Sequence, residues 1–295
     1  MLDKLEMFIA LAKEGHFGRA ATTLGITQPT LSTGIKQLEE HLGVQLVFRG
    51  SRYGGLTPEG QTALVWARKI VGDARQLKEE MRFKRHGLSG QLRLAVIPTA
   101  LTWAARLATA VNLKHPHLRF TILSRTSAEI LTMLDNLDVD AGVSYIDNEP
   151  MGRVSTEPLY EERYVLVCPE TAPLAGRSQV SWRDLAGQKL CLLPPDMQNR
   201  RIINRNLANA AVEPEAVIES NSTVVLLATV ETGGWMTVLP EDNARFLARG
   251  KPLKLIPLEV SEPAHRVGLV APYREPHTPV LQALIGEAKK LSELK

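Results

Sequence analysis

The sequence predicts a mainly α N-terminal winged helix-turn-helix with a linker helix, followed by an α/β domain of two lobes. Three observations carry this. Two short helical stretches meet at Gly25 and lead into a Gly-rich loop flanked by apolar pieces. A long helical run then ends in the glycine-bearing joint at residues 84–90. Beyond the joint, apolar strand-like runs alternate with amphipathic ones, the order that builds a parallel sheet.

Leu5, Phe8, Ile9 and Ala12 recur as on one face of a helix that Gly15 should end. Ala20, Ala21 and Leu24 give the next helix a small apolar face for close packing, with Gly25 as its stop. Thr27 is placed to cap a third helix, and Pro29 is tolerated in its first turn. There Leu31, Ile35, Leu38 and Leu42 form the stripe expected to be buried. Pro29, Thr33, Lys36 and Gln37 point the other way, with Gln28, Thr30 and Ser32 at the start or flanks. Amides, hydroxyls and one cation are what a helix needs to read base edges and phosphates in a major groove.

Val44, Leu46, Val47 and Phe48 precede a loop carrying Arg49 and Arg52, and Leu56 follows it. That is a β-hairpin wing, whose arginines suit the DNA backbone or the minor groove. Thr57-Pro58-Glu59 then reads as a helix start. Ala63, Ala67, Ile70, Ala74, Leu77 and Met81 follow at alternating spacings of four and three, a seam suited to a second copy.

After the joint the expected order is strand Gln91–Ile97, helix Trp103–Leu113, strand Arg119–Ser124, helix Ser127–Leu137 and strand Ala141–Tyr145. A second set runs from strand Tyr164–Cys168 through strand Lys189–Leu193, helix Ile202–Asn209, strand Ala216–Glu219 and helix Thr223–Glu231 to strand Met236–Leu239. Strands Leu253–Ile256 and Val267–Val270 and a helix from Val280 complete the chain. In such sheets ligands sit beyond the carboxyl ends of the strands, near helix N-termini whose free N–H groups favour anions. The residues there are Thr99 and Ala100, Arg125 to Ser127, Gln198 to Arg201, and Ser222 with Thr223. Taken singly, each hydroxyl reads as an ordinary helix cap; together they point to a cleft site for a carboxylate or other oxyanion.

Bulk properties narrow the function. Residues 1–90 hold 13 Lys/Arg against 9 Asp/Glu, while the remainder holds 22 against 23, so the basic end is the one suited to nucleic acid. Charges interrupt the N-terminus, and no apolar run approaches the roughly 20 residues of a membrane span. A cytoplasmic protein without membrane contact is expected. Cys168 and Cys191, each inside an apolar run, read as buried small hydrophobes rather than a disulfide. The seven histidines form no ligand set, so no metal or other cofactor is expected. Walker, G-x-S-x-G and H-E-x-x-H patterns are absent from the sequence.

The first 60 residues resemble the winged helix-turn-helix of LysR-type transcriptional regulators. The marks are A-A-x-x-L at 20–24, Thr-Gln-Pro-Thr-Leu-Ser at 27–32, Leu-Glu at 38–39, Leu-Gly-Val-Gln-Leu at 42–46 and Leu-Thr-Pro-Glu-Gly at 56–60. By position, Gln28, Pro29, Thr30, Ser32 and Lys36 match the groove-facing residues, while Thr33-Gly34 departs from the longer polar side chains usual there. Weaker marks continue through Pro98-Thr99, 131–140, 163–169 and 233–240. They imply an effector domain similar to periplasmic binding proteins, in which Thr99, Ser127, Gln198 and Thr223 match cleft-lining positions. Trp235 replaces a common glycine and is expected to narrow the cleft toward a small effector, with Arg125, Arg200 and Arg201 near its rim.

The resemblance implies residues 1–60 as DNA-binding domain and 61–90 as dimerisation helix and hinge. It implies 91–295 as effector domain, with lobes at about 91–162 plus 266–295 and at 163–265. The expected partners are a double-stranded, pseudo-palindromic operator, a small-molecule effector, RNA polymerase, and further copies giving a homodimer and then a homotetramer. The alternatives are a small-molecule enzyme with a DNA-binding head and a constitutive architectural DNA binder.

Overall fold

The computed structural model describes residues 1–48, 53–147, 149–214, 216–260, 263–273 and 275–293. These divide into two compact units, Met1–Leu88 with Asp135–Asp138, and Ser89–Leu134 with Val139 onward.

In the first unit, helices α1 (Leu2–Glu14), α2 (Phe17–Leu24) and α3 (Gln28–Leu42) enclose a core that includes Phe8, Leu11, Leu31, Ile35 and Leu38. Gly15 and Gly25 end α1 and α2 in the left-handed region, at φ 58° and 67°. The α2 cap is one the sequence reading missed: His16 Nδ1 accepts from Gly18 N at 3.0 Å and Arg19 N at 3.3 Å. Thr27 caps α3 as expected, accepting from Thr30 N. Leu42, expected in the buried stripe, is instead exposed, because α3 outlasts the core it packs against. Gly34 is buried against the Met7 side chain of α1, which would have to shift to admit a Cβ there.

Helix α4 (Pro58–His86) starts at Thr57, whose hydroxyl accepts from Gly60 N at 2.9 Å and donates to Gln45 O at 2.6 Å. A Cβ on Gly60 would strike the Leu46 carbonyl, so the hairpin base rests directly on the helix backbone. The expected single seam along α4 resolves into two faces. Ala67 and Val71, with Ala63 and Leu64, pack into the unit's own core. Trp66, Ile70, Leu77 and Met81 stay 57, 46, 58 and 45% exposed. Spacings of four alternating with three therefore mixed inward residues, Ala63 and Ala67, with outward ones.

The second unit holds strands β1 (Gly90–Val96), β2 (Leu118–Ser124), β3 (Ala141–Tyr145), β4 (Val154–Glu162), β5 (Tyr164–Pro169) and β6 (Leu190–Leu192), then β7 (Ala216–Glu219), β8 (Thr237–Pro240), β9 (Leu253–Pro257) and β10 (His265–Pro272). Its helices are α5 (Leu101–Lys114), α6 (Ser127–Asp135), α7 (Gln198–Asn209), α8 (Thr223–Glu231), α9 (Glu241–Leu247) and α10 (Pro279–Glu293). One sheet has the order β2-β1-β3-β10-β4, with β1 parallel to β2 and β3, and β10 antiparallel to β3 and β4. A second has the order β8-β5-β9, and the parallel pair β6-β7 meets it through a bridge between Leu190 and Met236.

The chain changes sheet between Glu162 and Tyr164. Strand β4 and helix α9 were not expected from the sequence. Within β4, Pro158 and three glutamates mask the alternation, and the strand is recognisable only by its eight-pair ladder with β10. Helix α7 begins at Gln198, four residues earlier than the apolar pattern indicated.

Candidate functional site

The polar face of α3 stands clear of the core. Gln28, Pro29, Thr30, Ser32, Thr33, Lys36 and Gln37 are all exposed. Lys36 Nζ lies 3.7 Å from Glu40 Oε1, an exposed pair of little energetic weight that a phosphate can replace. The neighbouring acid turns the other way. Glu39 is buried, and its Oε1 accepts from Leu46 N at 2.8 Å and Val47 N at 3.3 Å. One carboxylate thus ties the helix to the hairpin base and is kept off the helix's polar face. Val47 and Leu56 close the hairpin as an antiparallel bridge. Arg49 and Arg52, expected at the wing tip, lie outside the described residues.

In the second unit, Thr99, Ser127 and Gln198 come together as walls of one cavity of about 10 Å³, room for about one water. Tyr145, Met197 and Asn199 join them. The hydroxyls are not spent as caps. Thr126 caps α6, its Oγ1 accepting from Glu129 N at 3.2 Å while its N–H donates to Glu129 Oε2 at 2.8 Å. Ser127 Oγ and Thr99 Oγ1 are left buried without a hydrogen bond. A cavity of this size suits one water between such groups.

The remaining expected effector residues do not line this cavity. Ala100 is buried in the turn after Thr99. Arg125 donates to the Ser124 carbonyl at 2.7 Å. Arg200 is buried in structural work, its Nη1 donating to Leu193 O at 2.6 Å and Glu219 Oε1 at 2.7 Å, and its Nε to Asn204 Oδ1. Arg201, expected at the rim, makes a two-pronged pair with Glu149. Thr223 is buried at the start of α8. Trp235 packs on the apolar cluster of Val165, Leu227 and Leu239, so Leu193 and Met197, not this indole, bound the cavity on that side.

Behind the cavity lies a cluster that the sequence reading missed. Glu162 is 3% exposed, and its Oε2 accepts from Tyr145 Oη at 2.6 Å and Tyr164 Oη at 3.2 Å. Asn199 Nδ2 donates to the same two hydroxyl oxygens, at 3.0 and 3.4 Å. Burial pushes the Glu162 carboxyl up to about 7, against the pull of the surrounding hydroxyls. The Thr99 hydroxyl is near enough to contribute to that pull but closes no hydrogen bond. Tyr145, Tyr160 and Tyr164 are in turn held well above their usual range, by burial first and then by the Glu162 charge. Tyr160 stacks on Trp103 at 5.0 Å, and Trp103 Nε1 donates to Asp242. Nothing local in Glu161-Glu162-Arg163 distinguishes the middle residue from a solvated charge. Glu162 and Tyr164 also line a larger groove of about 470 Å³ with Trp182, Asn206 and Pro257, which none of the expected site residues reaches.

Both parts of the chain match a known family. Residues 2–61 fit the bacterial regulatory helix-turn-helix of the lysR family, and residues 85–292 fit the LysR substrate binding domain. The chain belongs to the LysR family of transcriptional regulators. Its relatives include a probable hydrogen peroxide-inducible genes activator of Mycobacterium avium, 30% identical over 96% of this chain and 92% of that protein. The transcriptional regulator XapR of Escherichia coli is 28% identical over 86% of this chain and 87% of its own length. In fold the chain is similar to full-length OxyR of Pseudomonas aeruginosa, with a TM-score of 0.74 and 23% identity over 98% of this chain and 94% of that one. The LysR-family chain thus combines a DNA-binding head with an effector-binding domain. Among its described residues no helix is long and apolar enough to cross a membrane, and no cluster of His, Cys, Asp and Glu could hold a metal ion.

Proposed function

We propose that this regulator reads an operator through the exposed face of α3 and senses a small oxyanion in the cavity at Thr99, Ser127 and Gln198. The observation that carries the effector reading is the meeting of Thr99, Ser127 and Gln198 at one cavity, beside the N-terminus of a helix that Thr126 caps. Buried hydroxyls can donate to a ligand acceptor, and helix N-termini favour a negative one. The cavity as it stands has room for about one water, so a carboxylate enters only as the walls around Thr99 and Gln198 part, which favours a compact one. Titrating the full chain with short carboxylates by calorimetry tests this. Thr99→Ala and Ser127→Ala should each weaken binding by roughly 1–2 kcal/mol and leave operator affinity without ligand unchanged. Parent-like binding in both variants would remove the cavity as the effector site.

For DNA, Lys36→Ala should lower operator affinity by about 1–3 kcal/mol and relax one position per half-site if the ammonium reaches a base. If it reaches phosphate, affinity falls evenly across sequences and the salt slope shrinks by about one unit. An unchanged gel shift would take Lys36 out of the interface. Arg49 and Arg52 are proposed as wing contacts alongside it.

For assembly, residues 1–60 serve as the reading head, and the outer face of α4 within 61–90 is the contact with a second copy. Pairs then associate through residues 91–295, whose lobes are 91–162 plus 266–295 and 163–265, into a tetramer that places two heads on a pseudo-palindrome. Exposed Trp66, Ile70, Leu77 and Met81 support that contact. Ile70→Asp should raise the dimer dissociation constant at least about tenfold by charging a desolvated face, read by sedimentation of the full chain. A parent that sediments as a monomer would sink this assembly. Action on operator DNA and RNA polymerase places the protein in the cytoplasm.

Peroxide sensing, suggested by the Mycobacterium avium relative's name, is not carried over. Cys168 and Cys191 are buried in separate apolar clusters, and burial pushes both thiols up to about 11. They are therefore thiols at neutral pH, whereas the nucleophile toward peroxide is the thiolate.

A further inference from the structure

The first unit is completed by four residues from far along the chain. Asp135–Asp138 follow α6 and group with Met1–Leu88, whereas Leu134 and Val139 on either side are buried in the second unit. The seat of this segment lies on α1 and α4. Leu137 packs against the core that contains Phe8, Leu11 and Val71. Arg68 Nη2 of α4 donates to Asn136 Oδ1. Arg75 Nη1 donates to the Leu137 carbonyl at 3.0 Å, and Arg75 Nη2 lies 3.5 Å from Glu6 Oε1 of α1. Near the end of α1, Lys13 Nζ pairs with Asp138 Oδ1 at 2.8 Å. Leu137 itself takes φ 60°, in the left-handed region that a bulky side chain rarely enters. Such strain persists where surrounding contacts over-determine it, and it collects at switch segments.

We propose that Asp135–Asp138 is the coupling element of this regulator, a plug through which events at DNA reach α6 and events at α6 reach the DNA-binding head. Two observations give it that capacity. The plug has no slack: Leu134 is buried immediately before it, and Asp140, two residues after it, accepts from Arg93 N of β1 at 2.7 Å. A shift at the end of α6 therefore loads the seat instead of dissipating in a loop. The plug also leaves the reading surface open, since Gln28, Thr30, Ser32, Thr33 and Lys36 stay exposed with it seated. It acts by holding the head, not by covering it. This role is independent of which ligand the regulator senses; the first residue of α6, Ser127, is a wall of the cavity described above.

Amide hydrogen exchange on the full chain tests this, with and without a DNA duplex that the chain selects from random sequences. Because coupling is reciprocal, DNA on α3 should change exchange at residues 130–134 of α6 by at least about fivefold, the low end of usual coupling between sites. Leu137→Ser should abolish that response while duplex affinity stays within about threefold. The double variant Asn136→Ala with Asp138→Asn strips the plug of its side-chain bonds without touching the core, so it decides the matter if Leu137→Ser unfolds the head. Carbodiimide coupling, which joins a carboxylate to an amine in direct contact, should link Lys13 to Asp138 in the parent. Lys114 and Glu287, 2.6 Å apart within the second unit, are the internal control. An α6 that responds equally in parent and variants, or not at all in the parent, would overturn the inference. A linked control without the Lys13–Asp138 product would do the same.

Discussion

Glu39→Ala is expected to destabilise the N-terminal unit by about 2–4 kcal/mol and to weaken operator binding with it. The carboxylate accepts from two amides at the hairpin base, Leu46 N and Val47 N. Leu46 and Val47 are themselves buried, so water cannot replace the lost acceptor. Each unsatisfied buried donor costs about 1–3 kcal/mol, and the truncation also removes a buried side chain's volume. Glu39→Gln keeps one acceptor oxygen and should cost about 1 kcal/mol. Amide hydrogen exchange reads the effect locally, because protection at Leu46 and Val47 should collapse in the alanine variant before α1 loses its own. Full protection at both amides in Glu39→Ala would mean that the carboxylate is not what fastens the hairpin.

Glu162→Gln is expected to stabilise the second unit at pH 8 by roughly 3 kcal/mol at most, and hardly at all at pH 4. The sign follows from the direction of the shift. Burial raises the carboxyl from 4.5 to about 7, so between these values the native state holds a proton that the unfolded chain has released. Stability is then fully present below about pH 4.5 and is lost as pH rises through about 7, where the buried site must carry the charge. Glutamine offers the tyrosines an acceptor without that charge and removes the dependence. The gain is an upper figure, since a neutral amide accepts more weakly than a carboxylate from Tyr145 and Tyr164. Urea midpoints of parent and variant at pH 5 and pH 8 decide it, and an equal difference at both would show that Glu162 does not titrate on folding. A regulator that keeps such a residue forgoes stability at its own working pH.

Much of the DNA-binding half was legible in the chain because its signals are local. Leu31, Ile35 and Leu38 sit a helical turn apart, Thr27 and Thr57 stand where caps are needed, and the glycines fall where helices stop. Each of these rests on contacts within about four residues, which periodicity and capping chemistry report directly. Thr99 and Ser127 were expected near one another because residues just after adjacent parallel strands converge, and the structure brings both to one cavity with Gln198.

Other features depended on groups far apart in the chain meeting in three dimensions. That α4 divides its apolar residues between its own core and an open face followed from α1 lying against one side of it. That Glu39 points inward followed from the hairpin returning to α3 with two amides to satisfy. Strand β4 formed against β10, about a hundred residues later, despite a proline and a polar sequence. That ladder buried Glu162 beside tyrosines from β3 and β5 and an asparagine from α7. Periodicity identifies the side of a helix that packs, and residue type identifies which groups can donate or accept. Whether a carboxylate ends in water or among three phenols is set by what the rest of the chain brings against it, because desolvation is a property of the enclosure and not of the residue.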